Sequence, residues 1–401
     1  MELECPVKQY HWGKHGTNSL VAELKRNVNS DFVVNNGETY AELWMGTHPS
    51  GPAYVKKHGT SLENWILMNP SSLGKAVKNT FGVTLPFLFK VLSVEMPLSI
   101  QVHPSKETAA KLHTKYPELY QDRNHKPEIA IALTEFEALC GFRPIDEIKN
   151  FLTIIPELCE LIGPDLSQNL LDCNEINQQY NLKKCFTALM TAPEDSVRKQ
   201  LQALIKRISD MGDDEENKSK VLHDLLNRIH GFFPGDVGCF CIYFFNHLIL
   251  KPGEAIFLAA NDPHAYLSGD CIECMATSDN VVRAGLTPKF RDVNTLCEII
   301  NYSCCSAKSK ILAPEKENEF SHVYRPPVSE FAVSKININK SDDFKLTRST
   351  PSISIVISGN GRVGDLEVFK GKVIYNGAND SLFVRVPPKK SLLMYQAFVN
   401  V

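Results

Sequence analysis

The spacing of apolar residues changes twice along the chain, and this change limits the folds that the chain can adopt. Up to about residue 145, short runs of β-branched and aromatic residues alternate with Gly, Pro and Asn, which predicts strands, most clearly at 87–93 and 98–103. From 146 to 232 the apolar residues follow helical spacing, and the strand pattern then returns. The sequence therefore predicts a mainly β protein with a helical insertion.

Three apolar stripes predict helices in the insertion, each with its stripe facing the core. A further short helix is predicted over residues 106–115, because Ser105 and the residues after it form a capping pattern. The stripes are Ile148, Phe151, Leu152 and Ile155, then Val197, Leu201, Leu204 and Ile208, and finally Val221, Leu222, Leu225, Leu226 and Ile229.

Two segments of the chain repeat each other. Residues 250–267 (LKPGEAIFLAANDPHAYL), the first copy, align with residues 369–386 (FKGKVIYNGANDSLFVRV), the second copy, after a gap of one residue. Each copy predicts two strands paired across a turn and followed by Ala-Asn-Asp. The first copy has His264 where the second has Leu382. The repeat predicts two barrels, one catalytic and one structural without a metal.

Composition excludes several classes of partner. A net charge of −3 and a pI near 6.5 give no polycationic surface for nucleic acid or for an anionic membrane. The first residues, MELECPVKQYHWGKHG, lack the basic and apolar regions of a signal peptide, and apolar runs such as 239–245 are too short to cross a bilayer. The twelve cysteines form no disulfide or zinc-knuckle pattern, so reduced thiols and a cytoplasmic location are predicted.

Three short motifs contain potential metal ligands. LSIQVHP places Gln101 and His103 on one face of a strand, NHKPE ends in Glu128, and His264 follows a proline. Two histidines and a carboxylate are the ligand set of an open catalytic metal site, although a lone histidine on an apolar strand is more often a core residue. The residues alone leave open whether Gln101 binds the metal or only donates a hydrogen bond. They also leave open zinc, iron(II) or manganese.

Basic residues near these ligands are candidates for binding an anion. Arg283 and Lys289 lie close to Asp279 in VVRAGLTPK and the residues before it, and Arg suits a bidentate contact with an oxyanion. The alternative is a solvated loop with an ordinary surface ion pair. Lys90 interrupts an apolar strand and Lys126 lies in NHKPE. A lysine at such a strand position usually extends its charged end to solvent, but one that points into a cavity is functional.

Seven motifs in this order resemble the type I mannose-6-phosphate isomerase family. The match covers most of the chain, and the segment 260–289 is its most specific part, whereas 306–401 matches mainly through YRPPVSEFAV. The motifs are YHWG, AELWMGTHPSGP, LPFLFKVLS, LSIQVHP, NHKPE, PGDVG and the whole segment 260–289.

The resemblance implies a cupin-type catalytic barrel, a helical insertion and a C-terminal jelly roll. The corresponding boundaries are 1–145 and 233–310 for the two parts of the catalytic domain, 146–232 for the insertion and 311–401 for a jelly roll without metal. It also implies one zinc ion per chain, bound by Gln101, His103, Glu128 and His264.

The implied reaction interconverts mannose 6-phosphate and fructose 6-phosphate, which supplies mannose 6-phosphate for GDP-mannose synthesis and glycosylation. Glu273 is the candidate general base, and the alternative is a strand carboxylate paired with a nearby cation. Lys126 and Tyr266 are rivals for moving protons to the substrate oxygens. The resemblance further implies that Arg283 is the family's active-site arginine, neutralising an enediolate or the phosphate.

Four further residues are predicted to contact the substrate, namely Ser99 and Lys289 at the phosphate, together with Asp279 and Lys90. We expect a monomer that binds a small sugar phosphate and neither nucleic acid nor membrane. An iron(II) dioxygenase or a ligand-binding barrel without activity can have the same shape. The first does not need the basic residues, and the second does not need Glu273 beside the metal.

Overall fold

The computed structural model describes residues 1–212, 214–339 and 342–401. Its strands form two large antiparallel sheets and one small one. A block of helices separates the first eleven strands from the later strands in the sequence. This arrangement confirms the predicted fold class, a mainly β protein with a helical insertion. The predicted domain boundaries stay predictions, because strands from the first 61 residues lie in the same sheet as the C-terminal strands.

The first 145 residues form strands with four helices between them. The Ser105 hydroxyl accepts the Thr108 N–H at the start of the fourth helix, as its capping pattern predicted. The strands are β1 (Glu2–Glu4), β2 (Val7–Lys8), β3 (Lys14–His15), β4 (Thr39–Tyr40), β5 (Glu42–Met45), β6 (Tyr54–Val55), β7 (Thr60–Ser61), β8 (Phe87–Val94), β9 (Ile100–Val102), β10 (Glu128–Ala132) and β11 (Phe136–Phe142). The helices are α1 (Leu20–Val28), α2 (Leu62–Met68), α3 (Gly74–Phe81) and α4 (Lys106–Lys115).

The insertion consists of seven helices in its described residues, and the predicted stripes face its core. Two details differ from the prediction. Val221 and Leu222 precede the last helix of the insertion, because Leu222 has a left-handed backbone with φ of 54°. Ile155 lies just after the end of the first helix of the insertion. The helices are α5 (Ile145–Ile154), α6 (Pro156–Ile162), α7 (Pro164–Leu171), α8 (Gln178–Met190), α9 (Glu194–Ser209), α10 (Glu215–Lys220) and α11 (His223–Phe232).

Strands return after the insertion, but two helices, α12 (Gly238–Cys241) and α13 (Val293–Ile299), lie among them where only strands were predicted. The strands are β12 (Phe245–Leu250), β13 (Ala255–Leu258), β14 (His264–Ala276), β15 (Val282–Gly285), β16 (Glu315–Lys316), β17 (Ser321–Tyr324), β18 (Ala332–Ile338), β19 (Asp342–Thr347), β20 (Ser352–Val363), β21 (Leu366–Phe369), β22 (Val373–Asn376), β23 (Ser381–Val386) and β24 (Leu392–Phe398).

The long strand β14 organises the ten-stranded sheet, because it pairs with β8, β9, β10 and β11. Successive side chains of β14 point to opposite faces. Cys274 packs in a core shared with the C-terminal strands, whereas Cys271 packs in a separate core with Leu92 and Tyr266. Glu273 lies two residues from Cys271 and therefore on the same face. One face of β14 thus packs against the C-terminal strands, and its other face is available for a site.

No disulfide bond links the cysteines of the described structure. All twelve cysteines are free thiols in the structure, and eight of them are buried, as predicted for most of them. Within residues 1–212, 214–339 and 342–401, no helix combines the length and the hydropathy that crossing a bilayer requires.

Candidate active site

Strand β9 lies between β14 and β15 and aligns three predicted site residues in one row. Gln101 is directly opposite His264 on one side and opposite Arg283 on the other. Directly opposed residues of antiparallel strands have their side chains on the same face of the sheet. His103, two residues further along the chain, extends the same face. The row therefore brings together residues more than 160 positions apart.

His103, Glu128 and His264 form a compact buried cluster. The Nε2 atoms of the histidines lie 3.4 and 3.3 Å from the two carboxylate oxygens of Glu128, and each residue is about 1% exposed. Both Nε2 atoms and Glu128 Oε2 have no hydrogen-bond partner in the described structure. Buried polar atoms are rarely left unpaired, so these atoms are oriented toward a ligand.

The donor set and its spacing fit zinc. Zinc binds imidazole nitrogens and carboxylate oxygens at about 2.1 Å with tetrahedral geometry, so two of its ligand atoms lie about 3.4 Å apart. Each Nε2 lies at about this spacing from one of the two Glu128 oxygens, and ligand atoms of the three residues all lie within 4.8 Å of one another. Burial lowers the pKa of His103 to about 4, and the neutral ring is the form that binds a metal. Burial alone raises the pKa of Glu128, but Lys126 and His103 hold it well below its usual value.

Two backbone carbonyls orient the histidine rings. His103 Nδ1 lies 2.7 Å from the carbonyl of Asn280, and His264 Nδ1 lies 2.9 Å from that of Asp262. A carbonyl oxygen only accepts, so each Nδ1 carries the proton and donates it. Each Nε2 is therefore unprotonated and directed at the cluster, as a metal ligand requires.

A buried ion pair occupies the neighbouring part of the same sheet face. Lys90 Nζ lies 2.9 Å from Glu273 Oε2 and 3.4 Å from Glu42 Oε2. Glu42 also accepts the indole N–H of Trp44. Lys90 is buried, so it does not extend to solvent as such a strand lysine usually does. Sequence reasoning missed Glu42, although an acid in the apolar run AELWM was a signal of the same kind as Lys90.

The protonation of this ion pair follows from burial and from neighbouring charges. Burial raises the pKa of Glu273, and repulsion from Glu128 and Glu42 raises it further, against the attraction of Lys90. Burial lowers the pKa of Lys90, but attraction to Glu273 and Glu42 outweighs burial and raises it above its usual value. The arrangement holds a carboxylate of increased basicity next to a fixed positive charge.

Two further candidates for proton transfer lie beside these groups. Lys126 Nζ is 3.2 Å from Glu128 Oε1, so it lies directly against the metal cluster. The Tyr266 hydroxyl is buried and makes no hydrogen bond of normal geometry within the described residues. Burial, followed by repulsion from Glu273 and Glu128, holds the pKa of Tyr266 well above its usual value. Lys126 therefore lies next to a proposed metal ligand, and the Tyr266 hydroxyl is close enough to Glu273 and Glu128 for their charges to affect its pKa.

The predicted anion-binding residues differ in their surroundings. Arg283 is half-buried, and its guanidinium has no ion-pair or hydrogen-bond partner among the described residues, so it does not form the ordinary surface ion pair that was its alternative. Burial lowers its pKa. Ser99 is half-buried and Lys289 is exposed. Asp279 is exposed and its carboxylate lies 3.2 Å from His48, which was not predicted as a site residue.

Asp236, in the PGDVG motif, fixes the segment after β15. Its carboxylate accepts the backbone N–H groups of Gly238, Leu286 and Thr287 at 2.6 to 3.3 Å. A Cβ on Gly285 would lie 2.7 Å from the Cα of Gly238, so a side chain is excluded there. The segment that follows the helical insertion is in this way joined to the strand that carries Arg283.

Comparison with known proteins agrees with this geometry. The family model of the catalytic domain of type I phosphomannose isomerase matches residues 1–145, and that of its helical insertion domain matches residues 161–245. Mannose-6-phosphate isomerases of Macaca fascicularis and Homo sapiens are each 46% identical to this chain over 98% of its length and 97% of theirs. Mannose-6-phosphate isomerase 1 of Arabidopsis thaliana is 40% identical over 99% of this chain and 93% of its own.

Solved structures show the same fold and a metal. A phosphomannose isomerase variant from Salmonella typhimurium has a TM-score of 0.84 with 28% sequence identity, covering 100% of this chain and 99% of its own. A zinc-bound mannose 6-phosphate isomerase has the same TM-score, identity and coverage. Together with the cluster of His103, Glu128 and His264, these zinc-bound relatives confirm the predicted zinc cofactor. The chain belongs to the type I phosphomannose isomerase family of zinc-dependent aldose–ketose isomerases.

Proposed function

We propose that this chain interconverts mannose 6-phosphate and fructose 6-phosphate. The observation that supports the proposal most directly is the cluster of His103, Glu128 and His264, whose unpaired buried atoms match the donor set of zinc. The high identity to proteins named mannose-6-phosphate isomerase supports the choice of substrate. The nearby ion pair of Lys90 and Glu273 supports a reaction that moves a proton.

We assign the zinc to Gln101, His103, Glu128 and His264. Gln101 is included because it lies between His264 and Arg283 on the same face of the sheet. When bound, zinc supplies a Lewis acid that stabilises negative charge on the substrate oxygens. The carbonyls of Asn280 and Asp262 hold the two imidazole rings in the tautomer that this assignment requires.

Glu273 is the general base in this proposal. The carboxylate removes the proton from C2 of the open-chain aldose, which gives an enediol, and the same proton is returned to C1 to give the ketose. The raised pKa of Glu273 suits a base that must also release its proton, because transfer is efficient when the pKa is near the working pH. Lys126 and Tyr266 transfer the accompanying proton between the oxygens on C1 and C2.

Positive residues accommodate the charge of the substrate and of the enediol. Arg283 is assigned to the developing oxyanion, because its guanidinium has no carboxylate partner among the described residues and the residue lies in the row with Gln101 and His264. Ser99 and Lys289 are assigned to the phosphate. Asp279 carries negative charge beside His48, so it suits a sugar hydroxyl better than the phosphate. Lys90 keeps Glu273 in place.

Metal analysis followed by an activity assay tests the proposal. The purified protein should contain zinc and should form fructose 6-phosphate from mannose 6-phosphate in a coupled assay. Glu273→Gln keeps the size of the side chain but removes the base, so zinc content should stay while turnover falls by about 10²-fold or more. A protein that contains another metal, or that leaves mannose 6-phosphate unchanged, contradicts the proposal.

We also propose a cellular role and an assembly state. The enzyme supplies mannose 6-phosphate for GDP-mannose synthesis and glycosylation, acts in the cytoplasm as a monomer, and has the domain boundaries predicted from its sequence. Its twelve free cysteines support the cytoplasmic location. Light scattering should give a mass near 45.0 kDa. Loss of the protein should lower cellular GDP-mannose, and an unchanged level contradicts this role.

A further inference from the structure

The Nδ1–H of His103 donates a hydrogen bond to a backbone carbonyl that lies outside the helices and strands. Asn280, which provides this carbonyl at 2.7 Å, lies in the segment between β14 and β15. A ligand ring is oriented by such a hydrogen bond only if the acceptor itself is fixed. The orientation of His103 therefore depends on contacts that fix the backbone at Asn280.

The side chain of Asn280 is fixed by Asp122 and Asn124, at the start of the NHKPE segment. Its amide nitrogen lies 2.8 Å from the carbonyl oxygen of Asp122, 3.1 Å from the Asp122 carboxylate and 2.9 Å from the carbonyl of Asn124. Asn280 is 2% exposed, so these contacts are shielded from water. Exclusion of water strengthens hydrogen bonds that involve a charge.

Asp122 binds the rest of the same segment. Its carboxylate accepts the Ser278 hydroxyl at 2.9 and 3.1 Å and the Asp279 N–H at 2.7 Å. It also accepts the N–H of Asn124 at 2.8 Å, which closes its own turn. Both carboxylate oxygens are used as acceptors. We call Asp122, Asn124, Ser278 and Asn280 the Asp122 network.

We infer that Asp122 is a positioning residue for the zinc site, acting on His103 through the carbonyl of Asn280. This inference rests on the proposed function, in which His103 binds zinc. Asp122 itself has no hydrogen bond to a proposed ligand. Its carboxylate joins the segment that leads to Glu128 and the segment that orients His103, so one residue sets the relative position of two ligands.

The sequence offers a variant that keeps the shape of Asp122 and removes its function. In Asp122→Asn, an amide nitrogen replaces one of two oxygens that both accept hydrogen bonds, so a donor faces a donor whichever way the amide turns. Asn280→Ala keeps the backbone carbonyl that His103 requires but removes all three contacts of the amide. Ser278→Ala removes only the hydroxyl and keeps the charge of Asp122.

Zinc affinity of the metal-free proteins tests the inference, with zinc alone as the probe and a chelating dye as competitor. Asp122→Asn and Asn280→Ala should each weaken zinc binding by about 10- to 100-fold. The double variant should resemble the single ones, because both changes interrupt the same network. Ser278→Ala should show a smaller loss and remains informative if Asp122→Asn does not fold. Asp380→Asn, which changes a carboxylate bound to Gly377 in the C-terminal sheet, should bind zinc as the unchanged protein does.

Two results overturn the inference while the proposed function stands. One is unchanged zinc affinity in Asp122→Asn, whatever happens to its melting temperature, when His103→Ala has lost zinc. The other is a double variant whose loss equals the product of the two single losses, since Asp122 then does not act through Asn280. If His103→Ala binds zinc normally, the ligand assignment in the proposed function fails first.

Discussion

The first and second copies of the internal repeat follow the same backbone path with different chemistry. Gly253 and Gly371, at equivalent turns, have φ of 93° and 96°, and Asn261 and Asn379 both have φ of 67°. The strands between these turns, β13 and β22, have four residues each. The residue after each Asn donates its N–H to the carbonyl three residues before it, at 3.2 and 3.1 Å. The duplication is therefore a duplication of structure.

The two copies differ at the first side chains after this turn. His264 lies opposite Gln101 and belongs to the metal cluster. Leu382, at the equivalent position, lies opposite Leu346 and is buried in an apolar core. The same backbone thus supports a polar row in one sheet and an apolar row in the other. The turn thus places the following strand residue at a buried, inward-facing position. The side chains of the neighbouring strand determine whether a metal ligand or a core residue suits that position.

The largest expected effect comes from exchanging these two residues for alanine. His264→Ala removes a metal ligand, so zinc and activity should be lost together, while the fold stays intact because the core does not depend on the ion. Leu382→Ala should instead lower the free energy of unfolding by about 2–5 kcal/mol and leave zinc and turnover unchanged. Metal analysis should give about one zinc per chain in the unchanged protein and in Leu382→Ala.

Either of two results breaks the comparison at this position. One is stoichiometric zinc with normal turnover in His264→Ala. The other is a second tightly bound zinc that disappears when residues of the second copy are changed. His103→Ala and Glu128→Ala provide matched variants and should behave as His264→Ala does.

Arg283 extends the polar row on the other side of Gln101. Arg283→Lys keeps the charge but loses the bidentate geometry, and turnover should fall by about 10²-fold if Arg283 stabilises a developing oxyanion. Zinc content and melting temperature should hardly change. A loss confined to KM makes Arg283 a phosphate contact of the ground state, and a silent substitution removes it from the site.

Gln101 lies between His264 and Arg283, and its contribution should be smaller. A neutral amide is the weakest of the four proposed donors, so Gln101→Ala should weaken zinc binding by about 10-fold and keep measurable activity. Competition with a chelating dye measures the change. If the affinity for zinc is unchanged, Gln101 is not a ligand, and its place in the row serves the substrate or the fold.

The sequence predicted those parts of the molecule that depend on local patterns. Alternation and helical spacing located the strands and the insertion, and the Ala-Asn-Asp turns predicted two strands in each copy. The prediction that these strands pair with each other across the turn is wrong. β12 pairs with β11 and β13 with β10, because the ten-stranded sheet takes partners from before the insertion. A short repeat contains no information on such distant partners.

The same limit applies to the site. The histidines and Glu128 were predicted because their motifs are distinctive, and they form one cluster. The contacts of Lys90 with Glu273, across 183 positions, and of Asp122 with Asn280, across 158, depend on strand register and loop packing. No local pattern encodes these distances, so the partner of the candidate base was left open.

The smallest expected effect concerns the turn itself and tests whether the shared backbone is a constraint. Asn379 is exposed and keeps φ of 67°, so its side chain contributes through conformation more than through packing. Asn379→Ala should lower the free energy of unfolding by about 1 kcal/mol, because alanine disfavours this region, whereas Asn379→Gly should be nearly neutral. In the first copy, the N–H of Asn261 donates to the carbonyl of His103 at 2.8 Å. Asn261→Ala should therefore weaken zinc binding as well. Equal denaturation curves for Asn379→Ala and Asn379→Gly would show that the left-handed turn does not constrain the second copy, and unchanged zinc affinity in Asn261→Ala would show the same for the site in the first.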